Sequence, residues 1–170
     1  MTEEKSNWKI EKTVEGETIT WLPLLTLIFD FSPKRIIGIT DNGCWTAQWH
    51  NGAIETITSR EKCYNILVCL EKERSEFESL LKEAITKHNI TIEQFDTFPI
   101  SDLIKFSMQS MTSWSTSAAF WLREEDMDKE FEEIISNFIK NKDFSQQARH
   151  QAFKVLKKWQ RQQLDINASC

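Results

Sequence analysis

Glycine and proline are scarce in this chain, four and three residues respectively. GxGxxG, GxxxxGK and GxSxG are all absent, which sets aside the common phosphate-cradling loops and the nucleophile elbow of α/β-hydrolases. The same scarcity excludes collagen-like sequence and flexible Gly/Pro linkers over most of the length. Long hydrophobic runs are missing too. The longest, "WLPLLTLIF" (Trp21 to Phe29), is broken by Pro23 and Thr26 and is about half of the ~20 residues a membrane helix needs. The start, "MTEEKSN", has no basic or apolar leader pattern. Neither membrane insertion nor secretion is expected, and the expected compartment is the cytosol.

The four cysteines, Cys44, Cys63, Cys69 and Cys170, form no CxxC and no Cys/His ligand spacing. Cys63 and Cys69 would lie about 20 Å apart on a strand or on different sides of a helix. Neither placement closes a disulfide, which needs Cα atoms about 5.5 Å apart. Reduced thiols are expected. The histidines, His50, His88 and His150, belong to no HExxH and have no carboxylate at ligand spacing. Cys44 and His50 fall on one face of a predicted strand, yet about 20 Å apart along it, too far for a thiol–imidazole pair. No catalytic residue, metal or cofactor is expected.

Tryptophan and phenylalanine are plentiful, seven and eleven residues. "DNGCWTAQWHNGAIETI" (residues 41 to 57) carries an Asn-Gly pair on each side of two tryptophans. Asn-Gly is the strongest short hairpin signal because the tight turns matching strand twist need positive φ. Trp45, Ala47 and Trp49 alternate with polar neighbours at a period of two, so both indoles share one face of one strand. "RIIGIT" and "AIETI" are its predicted neighbours. Upstream, Glu15-Gly16 separates a segment with Trp8, Ile10 and Val14 from one with Ile19 and Trp21, and "LLTLIFDF" suits a further strand. "CYNILVCL" (Cys63 to Leu70) is assigned as a strand, because Ser75 and Glu78 supply a capping box for a helix of their own ending near His88-Asn89.

From Phe98-Pro99 onward the pattern is helical. Ser101 caps a segment with Leu103, Ile104, Phe106, Met108 and Met111, and the hydroxyls of "SMTSWSTS" predict a break near Ser113. Helices follow with Trp114, Ala118, Ala119, Trp121 and Leu122, then after Asp126, then after Asp143. The fold class expected is α+β: an antiparallel β-meander over about residues 8–70 followed by a helical C-terminal half over about 75–162. As organisation this gives a single domain, 1–170, with a β-rich portion over 1–72, a helical portion over 73–163 and a tail over 164–170.

Charge is unevenly placed. Residues 140–161 hold seven Lys and Arg against Asp143 alone, a net of +6 in a chain of −5, leaving −11 elsewhere. Lys154, Lys157, Lys158 and Arg161 project away from the stripe Ala148/Ala152/Val155/Trp159. A basic face of this kind suits phosphates, but it lacks interleaved aromatics and the rest of the chain repels a polyanion. Pairing with the acidic run "REEDMDKEFEE" (123–133), itself expected to be a solvated helix start, is preferred. "SAAFWLREEDMDKEFEEIISNFI" and the following "FSQQARHQAFKVLKKW" resemble helical hairpins of the HEAT type over about a third of the chain. The resemblance implies stacked helices and assigns no functional residue.

The functional expectation is a small non-catalytic protein-binding module, an adaptor or an inhibitor-type partner of a basic protein. Trp45 and Trp49 are its candidate anchors, since aromatics dominate interfaces, and Lys154, Lys157, Lys158 and Arg161 form a second candidate surface. The sheet face bearing the indoles is covered either by the C-terminal helices or by a partner. The alternatives are an enzyme whose site assembles only in three dimensions and phosphate-backbone binding by the last helix.

Overall fold

Two Asn-Gly turns set the register of the sheet. In the computed structural model, which describes residues 7–30, 32–110 and 112–168, Gly43 and Gly52 take φ of 85° and 88°. They close consecutive hairpins in a five-stranded antiparallel meander, β1 (Lys9–Lys12), β2 (Thr18–Leu27), β3 (Arg35–Thr40), β4 (Trp45–Gln48) and β5 (Ile54–Thr56). The expected strand at "LLTLIFDF" is not separate: β2 runs on through Pro23, with a register shift between Pro23 and Leu25. A bulge of this kind bends a strand and increases its twist. The sheet curls until the β1–β2 turn meets β5, with the Val14 N–H donating to the Ile54 carbonyl at 3.0 Å.

Both faces of this sheet are covered. On the inner side Trp21 is fully buried and lies against Gly38, where an added Cβ would stand 2.5 Å from both the indole and the Leu22 carbonyl oxygen. That close approach is why β3 reads Ile-Gly-Ile at its centre. On the other side, register pairs Ile37 with Ala47 and Ile39 with Trp45. Residues from 61–98 cover Trp45 and Trp49 on this side. Trp45 packs edge-on against Phe98 at 5.0 Å, and Phe98 packs on Phe77 at 5.2 Å.

"CYNILVCL" is helical, not a strand. It sits within a 3-10 helix, Glu61–Glu71, in which Cys63 and Asn65 to Leu70 are all buried. An unbroken apolar run has no period to decide between the two states, and burial on all sides was met here by tight turns. The next helix, α1 (Arg74–Lys87), begins one residue before the expected cap, and Glu78 pairs with Arg74 at 2.7 Å instead of closing a box with Ser75. It ends at His88 as expected, with Asn89 at φ 55°. A single turn, α2 (Glu93–Asp96), follows.

The remaining elements are α3 (Ile100–Ser110), α4 (Thr112–Trp121), a 3-10 turn Glu124–Asp126, α5 (Lys129–Lys140) and α6 (Gln146–Ala168). The fold class is α+β, as expected. The expected helix break falls between Ser110 and Thr112; Met111 lies outside the described residues. The helix α5 follows Asp126 as expected, and Asp128 caps it by accepting from the Phe131 N–H at 2.7 Å. The helix α6 follows Asp143 as expected, and Ser145 caps it, accepting from the Ala148 N–H at 3.1 Å. The stretch 164–168, expected as tail, continues α6. The helices pack α3 on α4 and α5 on α6, with α4 also on α6 and α3 on α5. The chain forms two compact units, Met1–Pro99 and Ile100–Cys170, so α1 and α2 go with the sheet.

Candidate functional site

The residues considered for chemistry are dispersed. His50 sits in the β4–β5 turn, His88 caps α1, and His150 is exposed on α6. Cys63 and Cys69 are buried thiols and Cys44 is a half-buried one, none of them in a disulfide. Among the described residues no cluster of His, Cys, Asp and Glu is arranged to hold a metal ion. No helix among them is long and apolar enough to cross a membrane.

Of the proposed anchors, Trp45 is 3% exposed and its indole N–H donates to Thr97 Oγ1 at 2.9 Å, so it offers no surface to a partner. Trp49 differs. It is half-buried, and its N–H donates to Asn65 Oδ1 at 3.1 Å. Tyr64, half-exposed, stands 5.8 Å from its ring. Beneath the indole lies Arg35, with its guanidinium carbon 3.7 Å from the ring centroid. Arg35 is two residues before Ile37 on the same strand face, which places Trp45 and Trp49 on one side of the sheet. Nothing in the sequence reading singled out Arg35. The one signal was a cation opening the otherwise apolar strand "RIIGIT".

In the helical unit, α5 presents Glu130, Glu133 and Asn137 along one exposed stripe, at the three-to-four spacing of a helix face, and its C-cap residue Asn141 follows, also exposed. Beside that stripe runs a groove of about 620 Å³ between α3, α4 and α5, whose apolar lining comes from Met108, Ile134, Phe138 and Phe144. Phe138 and Phe144 are stacked at 4.3 Å. Ser110 and Ser115 line the α3–α4 side, and the Ser115 hydroxyl donates to the Ser107 carbonyl at 2.8 Å. This size falls within the usual range for binding clefts, about 300–1,000 Å³. The acids of 123–133 were expected to be a solvated helix start. That reading holds for Asp128, but Glu130 and Glu133 also border a cleft, which only the packing of α3 against α5 creates.

The helix α5 is anchored from below. Lys105 of α3, only 5% exposed, reaches Asp128 at 2.6 Å and Glu130 at 3.0 Å and lies 4.9 Å from the centre of the Phe131 ring. Burial works against the ammonium, but the two carboxylates together hold its pKa above the ordinary lysine value. Burial likewise opposes Asp128, and the bonds from Lys105 and the Phe131 N–H outweigh it and lower its pKa.

Lys154, Lys157, Lys158 and Arg161 are all exposed on α6. Lys158 pairs with Glu124, and Gln160 and Gln162 donate to Glu132 and Glu124. The expected pairing with the acidic run therefore engages Lys158 and leaves the other three facing outward. Contrary to expectation, an aromatic is interleaved with them: Phe153 is 41% exposed, with the Lys157 ammonium 5.6 Å from its ring centre.

No protein-family model, curated protein or solved structure matches the chain.

Proposed function

We propose that the chain is a non-catalytic protein-binding module whose helical unit takes a basic segment of another protein in the groove between α3, α4 and α5. One observation carries this reading: an apolar floor of Met108, Ile134 and Phe138 beside a rim of Glu130, Glu133, Asn137 and Asn141. Such a rim offers carboxylate and amide acceptors, so it favours Lys or Arg flanking an apolar residue. The net charge of −11 outside 140–161 supports steering of a basic partner at low salt. The buried thiols Cys63 and Cys69 support a reducing compartment such as the cytosol.

The test is capture from the native cytosol with mass spectrometry, run beside two variants. Ser110→Trp fills the groove and Glu133→Lys reverses its rim. A partner captured by the native chain and lost by both variants, with association slowed by salt, is the expected outcome. Equal capture by all three proteins overturns the reading.

A second reading, phosphate-backbone binding through α6, is favoured by exposed Phe153 among Lys154, Lys157 and Arg161, since aromatic and basic groups together suit single-stranded nucleic acid. It requires binding to an oligonucleotide at about 50 mM salt that falls steeply with ionic strength and is lost in Lys157→Glu.

A further inference from the structure

Arg35 is 3% exposed, and its Nε and Nη1 atoms are buried without a hydrogen-bond partner. A charge taken out of water is costly unless it is paired and its donors are satisfied. Here the ring face of Trp49 supplies part of the compensation, through the attraction of a cation to an aromatic quadrupole. It supplies no acceptor for the N–H groups. The ionisable groups facing the guanidinium are the Cys69 thiol and the Tyr64 phenol. Burial pushes the Cys69 pKa up, so the thiol stays protonated and supplies no counter-ion at neutral pH.

The indole above Arg35 is held in a hydrogen-bond network. Asn65, which accepts from the Trp49 indole, donates to Glu55 at 3.0 Å and to the Lys62 carbonyl at 3.1 Å. Lys62 in turn reaches Glu55 and Glu15. Both carboxylates of this network, Glu55 and Glu15, are engaged by Lys62 or Asn65. The Glu71 carboxylate accepts from the Ser32 hydroxyl. The local acids are thus tied to other donors, while the guanidinium keeps unspent ones. Tyr64, beside Trp49, is half-exposed, so its ring turns without leaving a packed core.

We propose that Arg35, under the Trp49–Tyr64 rings, is the seat of an oxyanion-binding site that accepts a carboxylate or phosphate group. This site is independent of the groove in the helical unit and stands or falls without it. An arginine suits the role because its planar fork presents several N–H donors to such groups and stays charged when buried.

The experiment uses the full chain and two-dimensional NMR of the indole and arginine Nε–H signals. Sodium phosphate and sodium acetate are titrated separately, with sodium chloride at matched ionic strength as control. The expected result is a saturable shift of the Trp49 indole and Arg35 Nε–H signals with at least one of the two oxyanions and none with chloride. Which titration saturates identifies the anion class. Arg35→Lys should bind about tenfold more weakly or worse, since an ammonium does not reproduce the fork. Should that variant not fold, the arginine signal of the unsubstituted chain decides the matter alone. Flat titrations with both oxyanions, or shifts that chloride reproduces, overturn the proposal.

Discussion

Two of the buried cations of this protein, one taken from each unit, are compensated in opposite ways. Lys105 in the helical unit and Arg35 in the sheet unit are 5% and 3% exposed. Lys105 spans two carboxylates, and its pKa is raised. Arg35 has an indole ring and no carboxylate, and burial lowers its pKa. The difference teaches how to tell a structural charge from one with chemistry in reserve. Lys105 ties α3 to the capped start of α5 and has no donor capacity to explain. Arg35 keeps buried N–H groups that its own unit does not use.

Substitutions can break this comparison, beginning with the packing that holds Arg35 in place. Gly38→Ala forces a methyl group against Trp21 and the Leu22 carbonyl, and overpacking against backbone should cost about 3 kcal/mol. Chemical denaturation read by tryptophan fluorescence measures it, and a change under about 0.5 kcal/mol would mean that β2 and β3 are not so close. Next in size is Lys105→Ala, which removes a buried aliphatic stem and two charge-assisted bonds. Because Asp128 and Glu130 are about half-exposed and water can replace the ammonium, a loss of about 2 kcal/mol is expected.

Arg35→Met sharpens the contrast through its sign. Replacing an unpaired buried charge with an apolar side chain of similar length should leave stability unchanged or raise it by about 1 kcal/mol in anion-free buffer. A loss of about 2 kcal/mol or more, the size expected for Lys105, would mean that Arg35 is satisfied structurally, and would erase the distinction between the two cations.

The smallest effect is on pH dependence. The folded-state pKa of Asp128 lies below its ordinary value of 3.8, so its contribution is complete above that value and is lost as pH falls through the lower folded value. The Lys105 pKa lies above 10.5, so its share is complete below that value and lost only as pH rises beyond it. Thermal melts between about pH 5 and pH 2 should show a steeper acid loss in the native chain than in Asp128→Asn. Parallel curves would remove the ion pair from the account.

Much of the scaffold was legible because its signals are local. Asn42-Gly43 and Asn51-Gly52 fixed two hairpins through a backbone conformation that glycine adopts at little cost. The alternation of Trp45, Ala47 and Trp49 placed the indoles on one face. Where the signal was not local, the reading failed. "CYNILVCL" has no period, and its helical state follows from burial on all sides. Glu130 and Glu133 read as solvent-facing because a sequence does not show that α3 leaves a cleft beside them.

The sequence by itself determined the α+β class, the meander, the helical second half and the outward basic face of α6, because turn chemistry and periodicity act over a few residues. Tertiary structure alone decided what covers Trp45, which acid Lys105 meets, and that Arg35 sits beneath Trp49. Those outcomes depend on contacts between residues 14 to 52 positions apart, and such contacts follow from how whole elements share a core.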